Sequence, residues 1–190
     1  LGLQDAGLTP ASGPVVVTGA AGGVGSVATA LLGTLGYHVI ASTGRPEEAD
    51  YLKALGASEV IARAELSGKP RALGKERWAG AVDTVGSTTL ANVLSMTRYG
   101  GTVTCCGLAG GMDLPTSVAP FILRGVKLVG VDSVMAAREL RLRAWALLDQ
   151  TLDRRLLAEM TTVVPLAKAI EVGQQLVEGK VRGRVVVRID

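Results

Sequence analysis

Aromatic side chains are scarce in this sequence: two Trp, three Tyr and one Phe among 190 residues. A surface that stacks bases needs such rings, so nucleic acid is not an expected partner. The net charge of +3 is too small to argue otherwise. No segment approaches the roughly 20 uninterrupted apolar residues of a membrane span, because Gly, Arg or Asp breaks each apolar run. The first residues show no secretory signal pattern, and a cytoplasmic location is expected. Histidine occurs once, as His38, and the two cysteines, Cys105 and Cys106, are adjacent. Neighbouring side chains on a strand point to opposite faces, so these thiols are not expected to bridge. No Cys/His set has metal-ligand spacing, and no zinc site is expected.

Glycine, by contrast, is plentiful at 25 residues, and the chain is organised around one cluster of it. In the stretch Pro14 to Ser26, Val15, Val16 and Val17 are β-branched and apolar and read as a short buried strand. Gly19, Gly22, Gly23 and Gly25 follow, and Ser26 to Leu35 reads as an Ala- and Leu-rich helix. Strand, glycine turn and helix together make a phosphate cradle. Glycine lets a pyrophosphate approach the main chain, and the first helical turn offers unpaired N–H groups and a partial positive charge. The G-x-G-x-x-G pattern is incomplete, with Ala20 in place of its first glycine. The same letters also fit T-G-x-x-x-G-x-G from Thr18 to Gly25. Because both flanking elements are present, dinucleotide binding is the reading retained.

Further along, strands are expected at Tyr37–Ser42, Ser58–Ala62, Ala79–Val85, Thr102–Cys106 and Val126–Val131, with an extended stretch at Thr161–Val164 and a last strand at Arg184–Ile189. Helices are expected from Pro46 to Gly56 and over Thr88–Arg98, Val118–Leu123, Ala136–Leu152 and Leu166–Val177. Arg63 to Arg77 reads as a basic loop. Its Lys69, Arg71, Lys75 and Arg77 suit a solvated face better than a docking site for CoA phosphates. Alternating strands and helices imply an α/β fold: a Rossmann-type, doubly wound, parallel six-stranded sheet with helices on both faces. The opening Leu1 to Gly7, starting without Met, reads as the tail of a helix and suggests a piece of a longer protein.

The nucleotide is read at the end of the second strand. An NAD site usually places Asp or Glu there for the ribose hydroxyls. Here Ser42-Thr43-Gly44-Arg45 offers hydroxyls, a glycine and a guanidinium, which favours NADP(H). A short-chain dehydrogenase is excluded, because Tyr37, Tyr51 and Tyr99 are followed four residues on by Ala41, Leu55 and Val103 and never by Lys. A module that binds NADPH without turnover stays open.

The motifs Val-Thr-Gly-Ala-Ala-Gly-Gly-Val-Gly-Ser, Trp-Ala-Gly-Ala-Val-Asp-Thr-Val-Gly, Cys-Gly-Leu-Ala-Gly-Gly, Pro-Phe-Ile-Leu-Arg-Gly and Gly-Val-Asp-Ser-Val-Met resemble the zinc-independent, quinone-oxidoreductase-like branch of the medium-chain dehydrogenases/reductases, and within it the acryloyl-CoA reductase group. The resemblance runs from about Ala6 to Ile189. It implies reduction of an activated C=C bond by NADPH, with acryloyl-CoA or another enoyl-CoA as substrate and a quinone as the alternative. It implies cofactor contacts at the backbone of Ala21, Gly22, Gly23 and Val24, and at Thr43, Gly44 and Arg45 for the 2′-phosphate. Thr84 is implied by the adenosine half, Leu108 and Ser133 by the nicotinamide half, and Ile122 and Arg184 on the rim. For Leu108 and Ile122, ordinary packing reads nearly as well. The resemblance further implies residues 1–12 as a connecting helix tail and linker, 13–180 as the NADP-binding domain, and 181–190 as a strand of a catalytic domain outside this sequence. Catalytic residues cannot be named from it. A homodimer is expected through the sixth strand, which is apolar and should form the sheet edge.

Overall fold

The computed structural model describes residues 1–189. Six strands, β1 (Val15–Val17), β2 (Val39–Thr43), β3 (Glu59–Ala62), β4 (Trp78–Asp83), β5 (Thr97–Cys105) and β6 (Lys127–Gly130), form one parallel sheet in the order β3-β2-β1-β4-β5-β6. The order reverses direction between β1 and β4, the switch point at which such sheets hold ligands.

Residue alternation builds the two layers. Val15, Val17, Val39, Ala41 and Ala79 face one side and pack with Leu32 of α2 (Gly23–Thr34) and Leu52 of α3 (Ala49–Ala54). A short first helix, α1 (Gly2–Asp5), adds Leu3 to that layer. Val16, Ile40, Ala81 and Val103 face the other side, against Leu90, Val93 and Leu94 of α4 (Ser87–Ser95). All three β1 residues are fully buried, so this short strand reads as an apolar run rather than as an alternating one.

Several boundaries differ from expectation. Helix α4 stops at Ser95, not Arg98, because Thr97 pairs with Trp78 across β4 and β5, and its hydroxyl donates to the Val93 carbonyl at 2.8 Å. β4 starts at Trp78, a fully buried ring whose Nε1 also donates to Val93 O at 3.1 Å, and it ends at Asp83 rather than Val85. The basic segment opens with a 3-10 turn over Arg63–Leu66. Its far end is fastened at the amino ends of β4 and β5: Gly74 N–H donates to Ser95 O and Arg77 N–H to Met96 O. Arg124, at the end of α5 (Ala119–Arg124), donates to the carbonyls of Gly74, Ser95 and Thr97 and pairs with Glu76. This is the wrong end of the sheet for ligands held at strand carboxyl ends, and Arg77 is already paired with Glu65 and stacked on Trp78.

The C-terminal part comprises α6 (Arg138–Thr151), α7 (Arg154–Glu159), β7 (Thr161–Pro165), α8 (Ala169–Val177) and β8 (Arg184–Arg188). Helix α7 was not expected. It is capped by Asp153, whose carboxylate accepts from Arg155 N–H at 2.7 Å. β7 and β8 form a separate two-stranded parallel sheet, with Thr161 opposite Arg184. The terminal strand β8 pairs with β7 of this chain. Met160, just before β7, is buried against Ala30 and Leu55 and fixes the small sheet to the α2 side.

Trp78→Ala should lower the unfolding free energy by about 3–5 kcal/mol, through lost packing and a cavity between β4 and α4. Urea denaturation checks this, and a loss under about 1 kcal/mol would show that the ring does not organise that layer.

Candidate cofactor site

At the switch point, β1 runs into a turn in which Gly22 N–H donates to Gly19 O at 2.9 Å. Gly19 has φ +59°, and a Cβ there would strike the Thr84 hydroxyl. Gly22 caps α2, and the first intrahelical bond runs from Ser26 N–H to Gly22 O. Among the described residues, the N–H groups of Gly23, Val24 and Gly25 therefore have no protein acceptor and can bind an anion. Gly25 is where side-chain absence matters most: a Cβ would land on the Gly19 carbonyl and 2.7 Å from Ala20 Cα. The Ala21 carbonyl accepts from Gly183 N–H at 2.9 Å and from Arg45 Nη2 at 3.3 Å. Arg184 Nη2 donates to Gly23 O at 2.8 Å. Arg182 lies over the Tyr51 ring and pairs with Glu48.

At the carboxyl end of β2, Thr43 is buried and its hydroxyl accepts from Arg45 N–H at 3.0 Å, which turns the chain toward the glycine loop. Gly44 is exposed, and the space its missing side chain leaves is filled by a second guanidinium. A Cβ on Gly44 would lie 2.7 Å from Arg63 Cζ. Arg63 stands one residue beyond β3, whose Ala62 is opposite Thr43, and its side chain has no ion pair among the described residues. From sequence alone Arg63 reads as part of a basic loop and does not stand out. The signal was present in its position directly after β3, beside the end of β2.

Thr84 is half-buried, and its hydroxyl donates to Thr18 O at 2.9 Å, so it braces the glycine loop. Beyond β4, β5 and β6 opens a cleft of about 590 Å³ lined by residues that include Gly86, Cys106, Leu108, Met112 and Asp132. Leu108 is the expected nicotinamide-half residue that lines it. Ile122 and Ser133 are exposed and do not, and the Ser133 carbonyl accepts from Arg141. Burial, and then the charge of Asp83, push both cysteine thiols up, so neither is activated as a nucleophile. Tyr, Lys and His side chains suited to proton transfer are absent from the cleft lining.

A model of the zinc-binding dehydrogenase family matches residues 23–150. This chain belongs to that family. It has the form of the cofactor-binding part of the medium-chain dehydrogenase/reductase fold. The acrylyl-CoA reductase AcuI of Ruegeria pomeroyi is 51% identical over 191 residues, which take in 100% of this chain and 58% of that protein. The yhdH oxidoreductase of Salmonella enterica in complex with NADP matches with a TM-score of 0.97 at 50% identity, over 100% of this chain and 58% of that one. The Bacillus subtilis protein yhfP with NAD bound matches with a TM-score of 0.92 at 44% identity, over 98% and 57%. The chain thus spans 58% of the length of the curated AcuI relative it matches. The family name mentions zinc. Among the described residues no three His, Cys, Asp or Glu side chains group to hold a metal ion, so the donor set present here does not fit zinc.

Gly25→Ala tests the cradle. Ala for Gly inside a helix ordinarily stabilises by about 1 kcal/mol. Here the Cβ meets main chain that cannot swing away, and overpacking of about 1–3 kcal/mol should win. A lowered midpoint in thermal melts is expected, and an unchanged or raised one would show that α2 has room to spare.

Proposed function

We propose that this chain is the NADP(H)-binding part of an NADPH-dependent reductase acting on an activated C=C bond, with acryloyl-CoA or another enoyl thioester as the substrate class. The observation that carries the reading is the end of β2. There Thr43, Gly44 and Arg45 meet Arg63, no carboxylate stands in Ser42 to Arg45, and three free N–H groups lie across the loop. Similarity to AcuI supports the substrate class. A second reading, quinone reduction, is favoured by a Bacillus subtilis relative, 45% identical over 189 residues, that carries the provisional name of a quinone oxidoreductase.

In this reading the backbone of Ala21, Gly22, Gly23 and Val24 holds the diphosphate. Thr43, Gly44, Arg45 and Arg63 hold the 2′-phosphate, and Thr84 backs the adenosine half. Leu108 lines the cleft for the nicotinamide half; Ile122 and Ser133, exposed outside its lining, and Arg184, beside the glycine turn, belong at most to the outer rim. When bound, the cofactor would supply a hydride to the β-carbon of the activated C=C bond, with the α-carbon taking a proton from water, while the chain binds, orients and shields it. Gly23, Val24 and Gly25 neutralise part of the diphosphate charge through N–H groups, and Arg184, fixed on the Gly23 carbonyl, holds that turn in place. A homodimer through β6, which ends one edge of the sheet, and a cytoplasmic location belong to the same reading.

Calorimetry with both cofactors tests the phosphate assignment. Arg45→Ala and Arg63→Ala should each weaken NADPH about ten- to a hundredfold and leave NADH nearly unchanged, as for loss of a hydrogen bond to a charged group. Equal losses for the two cofactors would contradict it. In NADPH oxidation assays, faster turnover of acryloyl-CoA than of a benzoquinone is expected, and the reverse would favour the second reading.

A further inference from the structure

The carboxyl end of β4 holds a buried acid that the cofactor contacts above do not use. Asp83 is fully buried and, among the described residues, has no cation beside it, so burial pushes its carboxyl up from the ordinary carboxylate range against the hydrogen bonds it accepts. An uncompensated buried carboxyl is costly, and its bonds show what it holds together. Oδ1 accepts from the Thr18 hydroxyl at 2.7 Å, and Oδ2 accepts from Gly86 N–H at 2.8 Å. The Thr18 hydroxyl in turn accepts from Thr84 N–H at 3.0 Å. One side of this carboxyl is therefore the strand-to-glycine-loop junction, and the other is the loop after β4.

That second loop continues into the cleft. Gly110 N–H donates to Val85 O at 2.7 Å, Gly86 and Gly111 form an isolated parallel bridge, and Cys106 N–H donates to the Asp83 carbonyl at 2.9 Å. Gly86, Cys106, Leu108 and Gly111 all line the cleft. A continuous set of hydrogen bonds thus runs from the glycine loop through Asp83 to the cleft wall. The chemistry demands a double acceptor. An Asn in the same place would set its NH₂ either against Gly86 N–H, donor to donor, or against the Thr18 hydroxyl, whose proton would then lose its acceptor; one of the two bonds is lost either way.

We propose that Asp83 is a positioning residue for the hydride donor: by accepting from Thr18 and Gly86 together, it fixes the loop that carries the dinucleotide diphosphate relative to the loops that line the nicotinamide cleft. The inference rests on the NADP(H) reading above. It concerns how the two halves of the cofactor are held in register, not which groups touch them.

The test separates register from general stability by using a whole cofactor and half of one. Calorimetric dissociation constants are measured for NADPH and for 2′,5′-ADP, which carries the adenosine half without the nicotinamide. Asp83→Asn should weaken NADPH about tenfold while leaving 2′,5′-ADP within about twofold of wild type, because a misplaced wall is felt only by the half that lies on it. Thr18→Val removes the same bond from the other side and should give the same split, which keeps the test open if Asp83→Asn does not fold. Thr18→Ser retains the hydroxyl and should restore NADPH binding. Equal weakening of both ligands would show a merely structural role, and unchanged NADPH affinity in both variants would show none; either overturns the inference while the cofactor reading stands. Wild type that binds neither NADPH nor 2′,5′-ADP would overturn the cofactor reading and the inference with it.

Discussion

The fold at the switch point depends on backbone N–H groups that the protein leaves without partners. Gly23, Val24 and Gly25 open α2 with donors that, among the described residues, no carbonyl accepts, as at the head of any helix, and the close fit of the helix on the turn from β1 sets where they stand. An unpaired N–H is tolerable at a surface open to water and becomes useful when an anion takes its place. Much of the neighbouring sequence serves that arrangement. Three valines bury β1 completely, Gly19 takes the left-handed turn, and Gly25 leaves out a Cβ that would strike the Gly19 carbonyl.

The surroundings hold the turn from both sides. Toward β4, Thr18, Asp83 and Thr84 interlock through side chains and main chain. Toward the C-terminus, Gly183 and Arg184 donate to the carbonyls of Ala21 and Gly23 from the start of β8. Residues distant in sequence therefore converge on a turn of a few residues. The small β7–β8 sheet is consequently not independent of the cofactor loop, although its own outer residues, such as Val163 and Val186, remain exposed.

The six-stranded sheet was legible in the sequence because most of its strands carry short apolar, β-branched runs with glycine near their ends, and the first of them runs straight into the glycine turn and helix. Thr43 and Arg45 stand out in the sequence because one closes β2 and the other comes two residues after it. Arg63 was not, since a cation opening a basic segment looks like a solvated one. Only the register of Thr43 with Ala62 brings it to Gly44. The start of β5 at Thr97 was hidden by a helical pattern that runs past Ser95, where strand pairing overrides local periodicity. Asp83 was visible as a letter in a strand, but its two acceptor bonds reach Thr18 far back in the chain, and no local pattern encodes them. The pairing of β8 with β7 is likewise a long-range fact.

The central claim is that the donors at the head of α2 and the end of β2 together hold a phosphorylated dinucleotide. Backbone amide chemical shifts followed by NMR during titration with NADPH test it most directly. The account predicts the largest changes at Gly23, Val24 and Gly25 and at Thr43 to Arg45, with little change along α8, none of whose residues lines the cleft beyond β4, β5 and β6. Saturating NADPH that leaves the Gly23 to Gly25 amides unmoved would contradict it.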